Sequence, residues 1–133
     1  MNKAKVNELV PLAYEALQET GIVKDGKIDK AFRGQISSFG VAVTMGSFLS
    51  AIAFFSEEES AAKVDRTLLM KAILVVLKKS GKASNVNELY QYIFKAKKVS
   101  EAKLKEDVIN ATIAIKLAMN LYILEDAGKN KDN

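Results

Sequence analysis

The chain has 133 residues, enough to bury a core as one domain without metals or disulfides. It contains no cysteine and no histidine, which excludes disulfides, thiolate zinc sites and the commonest general base, and leaves carboxylates alone to hold any metal. Lys and Arg number 20 against 16 Asp and Glu, a net charge of +4, and the excess is local: residues 71–105 carry nine lysines against Glu88 and Glu101, an imbalance that suits either a polyanion binder or a solvated helical face.

Strand signals are absent, and with only seven glycines and one proline the apolar periodicity reads as helix throughout. A first helix is expected from about Lys3 to Glu19, with Val6, Leu9, Val10, Ala13 and Leu17 as its apolar stripe. Pro11 either kinks this helix or marks its true first turn. The charged, amphipathic start shows no signal-peptide pattern, so a cytoplasmic protein is expected. Gly21 stops the helix, and Lys24-Asp25-Gly26-Lys27 reads as a turn.

Asp29 can cap a second helix, because its carboxylate accepts the free amides of the first turn. Phe32, Ile36, Phe39 and Val43 then share one face, while Arg33, Ser37, Gly40, Thr44 and Ser47 form a second stripe made almost wholly of small residues. Gly46 should break the run, and Phe48 to Phe55 continue as a third helix. No charge interrupts Ile36–Ser56, yet its serines and glycines make it too polar to span a membrane. It is therefore expected to be buried against protein on nearly every side. Ser56 with Glu57, Glu58 and Glu59 reads as a capping box opening a short turn.

Asp65 should cap a fourth helix to about Lys79, ended by Gly81, with Lys71, Lys78 and Lys82 opposite Leu69, Ile73 and Val76. Asn85 and Glu88 suggest another capping box, opening a fifth helix with Val86, Leu89, Tyr90, Ile93 and Phe94 inward. Lys95, Lys97 and Lys98 close it, where the helix dipole favours cations. Ser100 should cap a last helix to about Ala127. Apart from a narrow stripe of Thr112, Lys116 and Asn120 it is nearly all apolar, so it is expected at the centre of the bundle or beneath another subunit. Residues 128–133 should fray. The whole chain, 1–133, thus reads as a single all-α domain, a compact bundle of about six helices with no sheet.

Chemistry-bearing motifs are missing. Neither G-x-x-x-x-G-K-[ST] nor G-x-G-x-x-G occurs, and the serines have no histidine partner. Glu57, Glu58, Glu59 and Asp65 are the one acidic cluster, and consecutive residues on a helix diverge, so a metal site is not expected there. Tyr90, Tyr92 and Tyr122 read as core residues rather than base-stacking groups. A non-catalytic protein without cofactor or small-molecule substrate is expected.

The segments I-S-S-F-G (Ile36–Gly40), M-G-S-F-L-S-A-I-A-F-F (Met45–Phe55) and D-R-T-L-L-M-K-A-I (Asp65–Ile73), in this order and spacing, resemble the small α-helical subunit of the type III-B CRISPR effector, the Cmr complex. The likeness covers roughly residues 28–80. The family's glycine-leucine turn stands here as Gly46-Ser47, and the tryptophan and basic pair of its last helix have no counterparts near Asn120, Tyr122 and Ile123. The resemblance implies a subunit of an antiviral complex that stacks in several copies beside larger subunits and helps to hold guide and target RNA. Base pairing supplies the sequence specificity of such a duplex, so phosphate and shape contacts suffice for the protein. On that basis Arg33, Arg66, Lys71, Lys78, Lys79 and Lys82 are the candidate RNA contacts. Ser37, Gly40, Thr44 and Ser47 are candidates for a subunit interface, with packing inside the chain the alternative. A structural adaptor that makes no RNA contact is the competing functional class.

Overall fold

In the computed structural model, which describes residues 1–58, 60 and 62–126, the chain folds as α1 (Lys3–Glu19), β1 (Lys27–Asp29), α2 (Lys30–Met45), α3 (Phe48–Phe55), α4 (Thr67–Lys79), α5 (Leu89–Lys95), α6 (Glu101–Met119) and β2 (Ile123–Glu125). α6 lies at the centre, packed against α1, α2 and α4; α5 closes one end against α3 and α4. Helix α6 buries Leu104, Val108, Ala111, Ala114, Ile115, Ala118 and Met119. Its alanines let neighbouring helices approach closely, and the larger residues fill the gaps between them. The expected all-α bundle is therefore present, and no helix among the described residues is long and apolar enough to cross a membrane.

Local chemistry explains the boundaries. Asn2, Ser47 and Ser100 cap α1, α3 and α6 by accepting from Lys5, Ser50 and Lys103 amides, and the expected cap at Asp29 accepts from the Ala31 amide at 2.9 Å. Asp65 stands one residue before the N-cap of α4, where its carboxylate takes both the amide and the hydroxyl of Thr67. Helix α1 begins at Lys3, so Pro11 sits in its interior, on the exposed side, rather than in its first turn. Gly46 ends α2, as its backbone suggests.

Several expectations are corrected. The first is the absence of a sheet: β1 and β2 pair in parallel, Lys27 with Ile123, Ile28 with Leu124 and Asp29 with Glu125. Asp25 and Gly26 both have positive φ, and Lys24 and Lys27 exchange backbone hydrogen bonds, so the expected turn is a mirror-image hairpin turn that delivers an extended strand. The second is the length of the last helix. It stops at Met119, because the chain turns to stack Tyr122 on Tyr14 (ring centroids 4.8 Å apart, planes 13° apart) and to run along β1; Ala127 and the tail at 128–133 lie outside the described residues. Ser56, third, closes α3 instead of opening a new turn: its hydroxyl donates to the Ile52 carbonyl at 2.6 Å, and Glu59 lies outside the described residues.

Burial of Ile36–Ser56 is also one-sided. Ile36, Phe39, Val43, Phe48, Ala51, Ile52 and Phe55 are in the core, but Met45 is 83% exposed and Phe54 58%, with Val41 and Leu49 exposed as well. In α5 the register differs from expectation: Leu89 and Ile93 face inward, whereas Tyr90 and Phe94 are exposed. Its N-cap is Glu88, which makes no capping hydrogen bond; the Gln91 side chain accepts from the Asn87 amide, and Asn85 takes a left-handed conformation in the preceding loop.

Candidate nucleic-acid interface

The six basic side chains named as candidate RNA contacts occupy three kinds of environment. Lys71 and Lys78 stand seven residues apart on the exposed side of α4, free of ion pairs with any described residue. That spacing returns to the same helical face, so the two ammonium groups point the same way.

Arg66 does not join them. Its residue is 7% exposed, one guanidinium nitrogen donates to the Phe54 carbonyl at 3.0 Å, and the group lies 4.2 Å from the Phe54 ring centroid and 5.0 Å from that of Phe55. Glu57 approaches it at 3.5 Å. The planar cation thus seals the C-terminus of α3 with a hydrogen bond, an ion pair and ring contacts. Arg66, one of the candidate RNA contacts, is thus turned inward rather than presented to solvent.

Lys79 and Lys82 are likewise engaged within the molecule. Lys79 lies 2.9 Å from Glu19 and 3.2 Å from Glu15, bridging α4 to α1. The hydrogen bonds to Glu19 and then Glu15 raise its pKa, so it holds its proton more tightly than a free lysine. Lys82 approaches the Asp107 carboxylate at 3.7 Å, and Lys103 reaches the same oxygen at 3.2 Å. Asp107 is buried, and its hydrogen bond raises the pKa of Lys103. Two cations share this carboxylate because burying it unpaired would cost far more than ordering two lysines. Arg33, half-buried, donates to the Asn120 side chain and ties α2 to the end of α6.

The small-residue stripe runs beside α6. Gly40 faces Thr112, whose methyl would lie 3.8 Å from a Cβ added at Gly40. Ser37, Gly40 and Thr44 with Ile109, Thr112 and Ile113 line an open, mainly apolar groove of about 300 Å³, and Lys116 is the one charged residue in its wall. Ser47 is set apart: it is the exposed N-cap of α3. Three of the four candidate interface residues are therefore brought together, and the fourth has a local task.

The surface that sequence reasoning missed lies at α5. The rings of Tyr90 and Phe94 are 6.2 Å apart and tilted by 54° at its outer face, followed at once by exposed Lys95, Lys97 and Lys98. Tyr122, by contrast, is half-buried; burial and then its neighbour Tyr14 push its pKa up to about 12. Among the described residues no three His, Cys, Asp or Glu side chains gather as a metal site; Glu57 and Asp65 turn instead to Arg66 and Thr67. The chain matches no protein-family model, and no curated protein or solved structure matches it at a significant level.

Proposed function

We propose that this chain is a non-catalytic small subunit of a type III-B CRISPR RNA-guided effector, stacking in several copies and holding guide or target RNA through phosphate contacts. The residue order that resembles this family supports it, and a helical bundle is the fold class which that resemblance implies. The observation that carries the RNA contact is the pair Lys71 and Lys78, two exposed cations on one face of α4 that make no ion pair with any described residue, although Glu58 and Glu88 line a small pocket beside Lys71. Such groups release counterions when they meet phosphates, which favours binding without reading sequence. The partners in this reading are copies of the chain, the larger effector subunits, and the guide and target RNAs. The groove beside Ser37, Gly40 and Thr44 offers an open apolar surface to a neighbouring copy.

A second reading, a structural helical adaptor without RNA contact, is favoured by the internal engagement of Arg66, Lys79 and Lys82. The two readings separate in one experiment. Exchanging Lys71 and Lys78 together for glutamate should weaken binding to RNA of every sequence and make the dependence of log K on log salt shallower by about 1.5, the loss of two phosphate contacts. Parental affinity of the double variant at low salt would make this face a solvated one and favour the adaptor.

A further inference from the structure

We propose that the outer face of α5 is a docking surface for single-stranded nucleic acid, on which unpaired bases stack against Tyr90 and Phe94 while Lys95, Lys97 and Lys98 hold the backbone. The proposal rests on the RNA-binding reading above but uses a different surface and a different kind of contact.

Four observations lead to it. First, the aromatic pair is exposed, Tyr90 by 37% and Phe94 by 55%, although the chain had buried alternatives for both positions in Leu89 and Ile93. Second, Phe94 forms one wall of an open cleft of about 480 Å³ whose other walls include Leu49, Ala96 and Val99. Such a space admits a flat ring beside the phenyl group. Third, Lys95, Lys97 and Lys98 follow Phe94 directly, are all exposed, and make no ion pair with any described residue. A polyanion is the partner whose charge complements them. Fourth, the carboxylate in this cleft is Glu101, in the first turn of α6, while Tyr90 borders a smaller neighbouring pocket with Glu58, Glu88 and Lys71. At a lipid surface Glu101 would be pressed against acyl chains and anionic headgroups, an unfavourable place; beside a base it can accept from an exocyclic amino group. Exposed rings flanked by cations are the arrangement by which single strands are held, because every base has a face to stack and a phosphate to neutralise. A duplex keeps its bases stacked on one another and gains nothing from the rings, so the surface should discriminate by strandedness.

The test uses the full chain and a labelled, non-self-complementary RNA of about 16 nucleotides, alone or annealed to its complement. Phe94→Ala and Tyr90→Ala should each weaken single-strand binding about tenfold and leave duplex binding at the parental level. Replacing Lys95, Lys97 and Lys98 by alanine should make the single-strand salt slope shallower by about 2. Phe94 is more than half exposed, so its variants should melt as the parent does, and Phe94→Leu, which keeps the bulk without the ring, should bind as weakly as Phe94→Ala. The Lys71/Lys78 double exchange should leave the single-strand preference in place, so the two surfaces can fail separately. Unchanged single-strand affinity in Phe94→Ala and Tyr90→Ala overturns the proposal while leaving the α4 contact standing. A parental chain without affinity for the single strand overturns it as well. So does sedimentation with phosphatidylserine vesicles that is lost in Phe94→Ala while RNA binding is not.

Discussion

Gly34 lies inside α2 and Gly46 caps its C-terminus twelve residues on, and adding one methyl group to each should have opposite effects. At Gly34, inside α2, an added Cβ meets nothing within 4 Å. Alanine there should stabilise the fold by about 0.5–1 kcal/mol, since glycine loses more backbone freedom on folding. At Gly46 the same methyl would come within 2.8 Å of the Ala42 carbonyl oxygen. The chain must then shift where α2 hands over to α3, at a cost of about 1–3 kcal/mol. Chemical denaturation of Gly34→Ala and Gly46→Ala checks both signs; equal effects would mean that the α2–α3 break is not held by the missing side chain. Arg66 makes the complementary point. Its type and position suggest a surface cation, but a planar guanidinium stacked beside Phe54 and Phe55 can be buried on one hydrogen bond and one ion pair, even with its Nε left without a partner, which a sequence does not reveal.

At the scale of elements, helices with one apolar face and a polar cap were legible. The caps at Asp29 and Ser100 and the buried faces of α1, α2, α3 and α4 follow from side-chain chemistry within a few residues. What could not be read locally is decided by distant partners. In α5, Leu89/Ile93 and Tyr90/Phe94 are adjacent i, i+4 pairs, and only contact with α3 and α4 selects the aliphatic pair for the core. The end of α6 carries no glycine or proline to stop it before Tyr122. It stops because Tyr14 and β1, about a hundred residues earlier in the chain, offer ring stacking and strand pairing. The Asp25-Gly26 pair was the local signal for that strand.

The Tyr122 anchor should be visible in the pH dependence of stability. Its folded pKa is raised from 10.0 to about 12, so the neutral phenol is favoured in the folded state. The contribution is full below pH 10 and is lost as pH rises from about 10 towards 12. The raised pKa values of Lys79 and Lys103 act in the same direction, since ion pairs with Glu19, Glu15 and Asp107 disappear when the ammonium groups lose their protons. The melting temperature should therefore fall across this alkaline range, and Tyr122→Phe should flatten the fall. A Tyr122→Phe profile parallel to that of the parent would remove the phenol from this account.

Over the whole molecule, the local excess of lysine was legible in the sequence and its division was not. Lys79 and Lys82 serve contacts between helices, while Lys71, Lys78, Lys95, Lys97 and Lys98 remain free of ion pairs with described residues. The division follows from where Glu15, Glu19 and Asp107 fall in the folded bundle, so counting charges along the chain could not supply it. In the proposed role the fold supplies the helical core and the exposed cations supply the attraction to a polyanion. Stacking beside larger subunits is the remaining part of the proposed role, and it is the part a binding assay on the chain alone leaves untouched. The most direct measurement is purification of the tagged full chain from its native cells, with sequencing of co-purified RNA and identification of co-purified proteins. The proposed role predicts CRISPR guide RNA together with the larger type III-B effector subunits, and more than one copy of this chain per complex. Recovery of the chain free of both guide RNA and those subunits would contradict it.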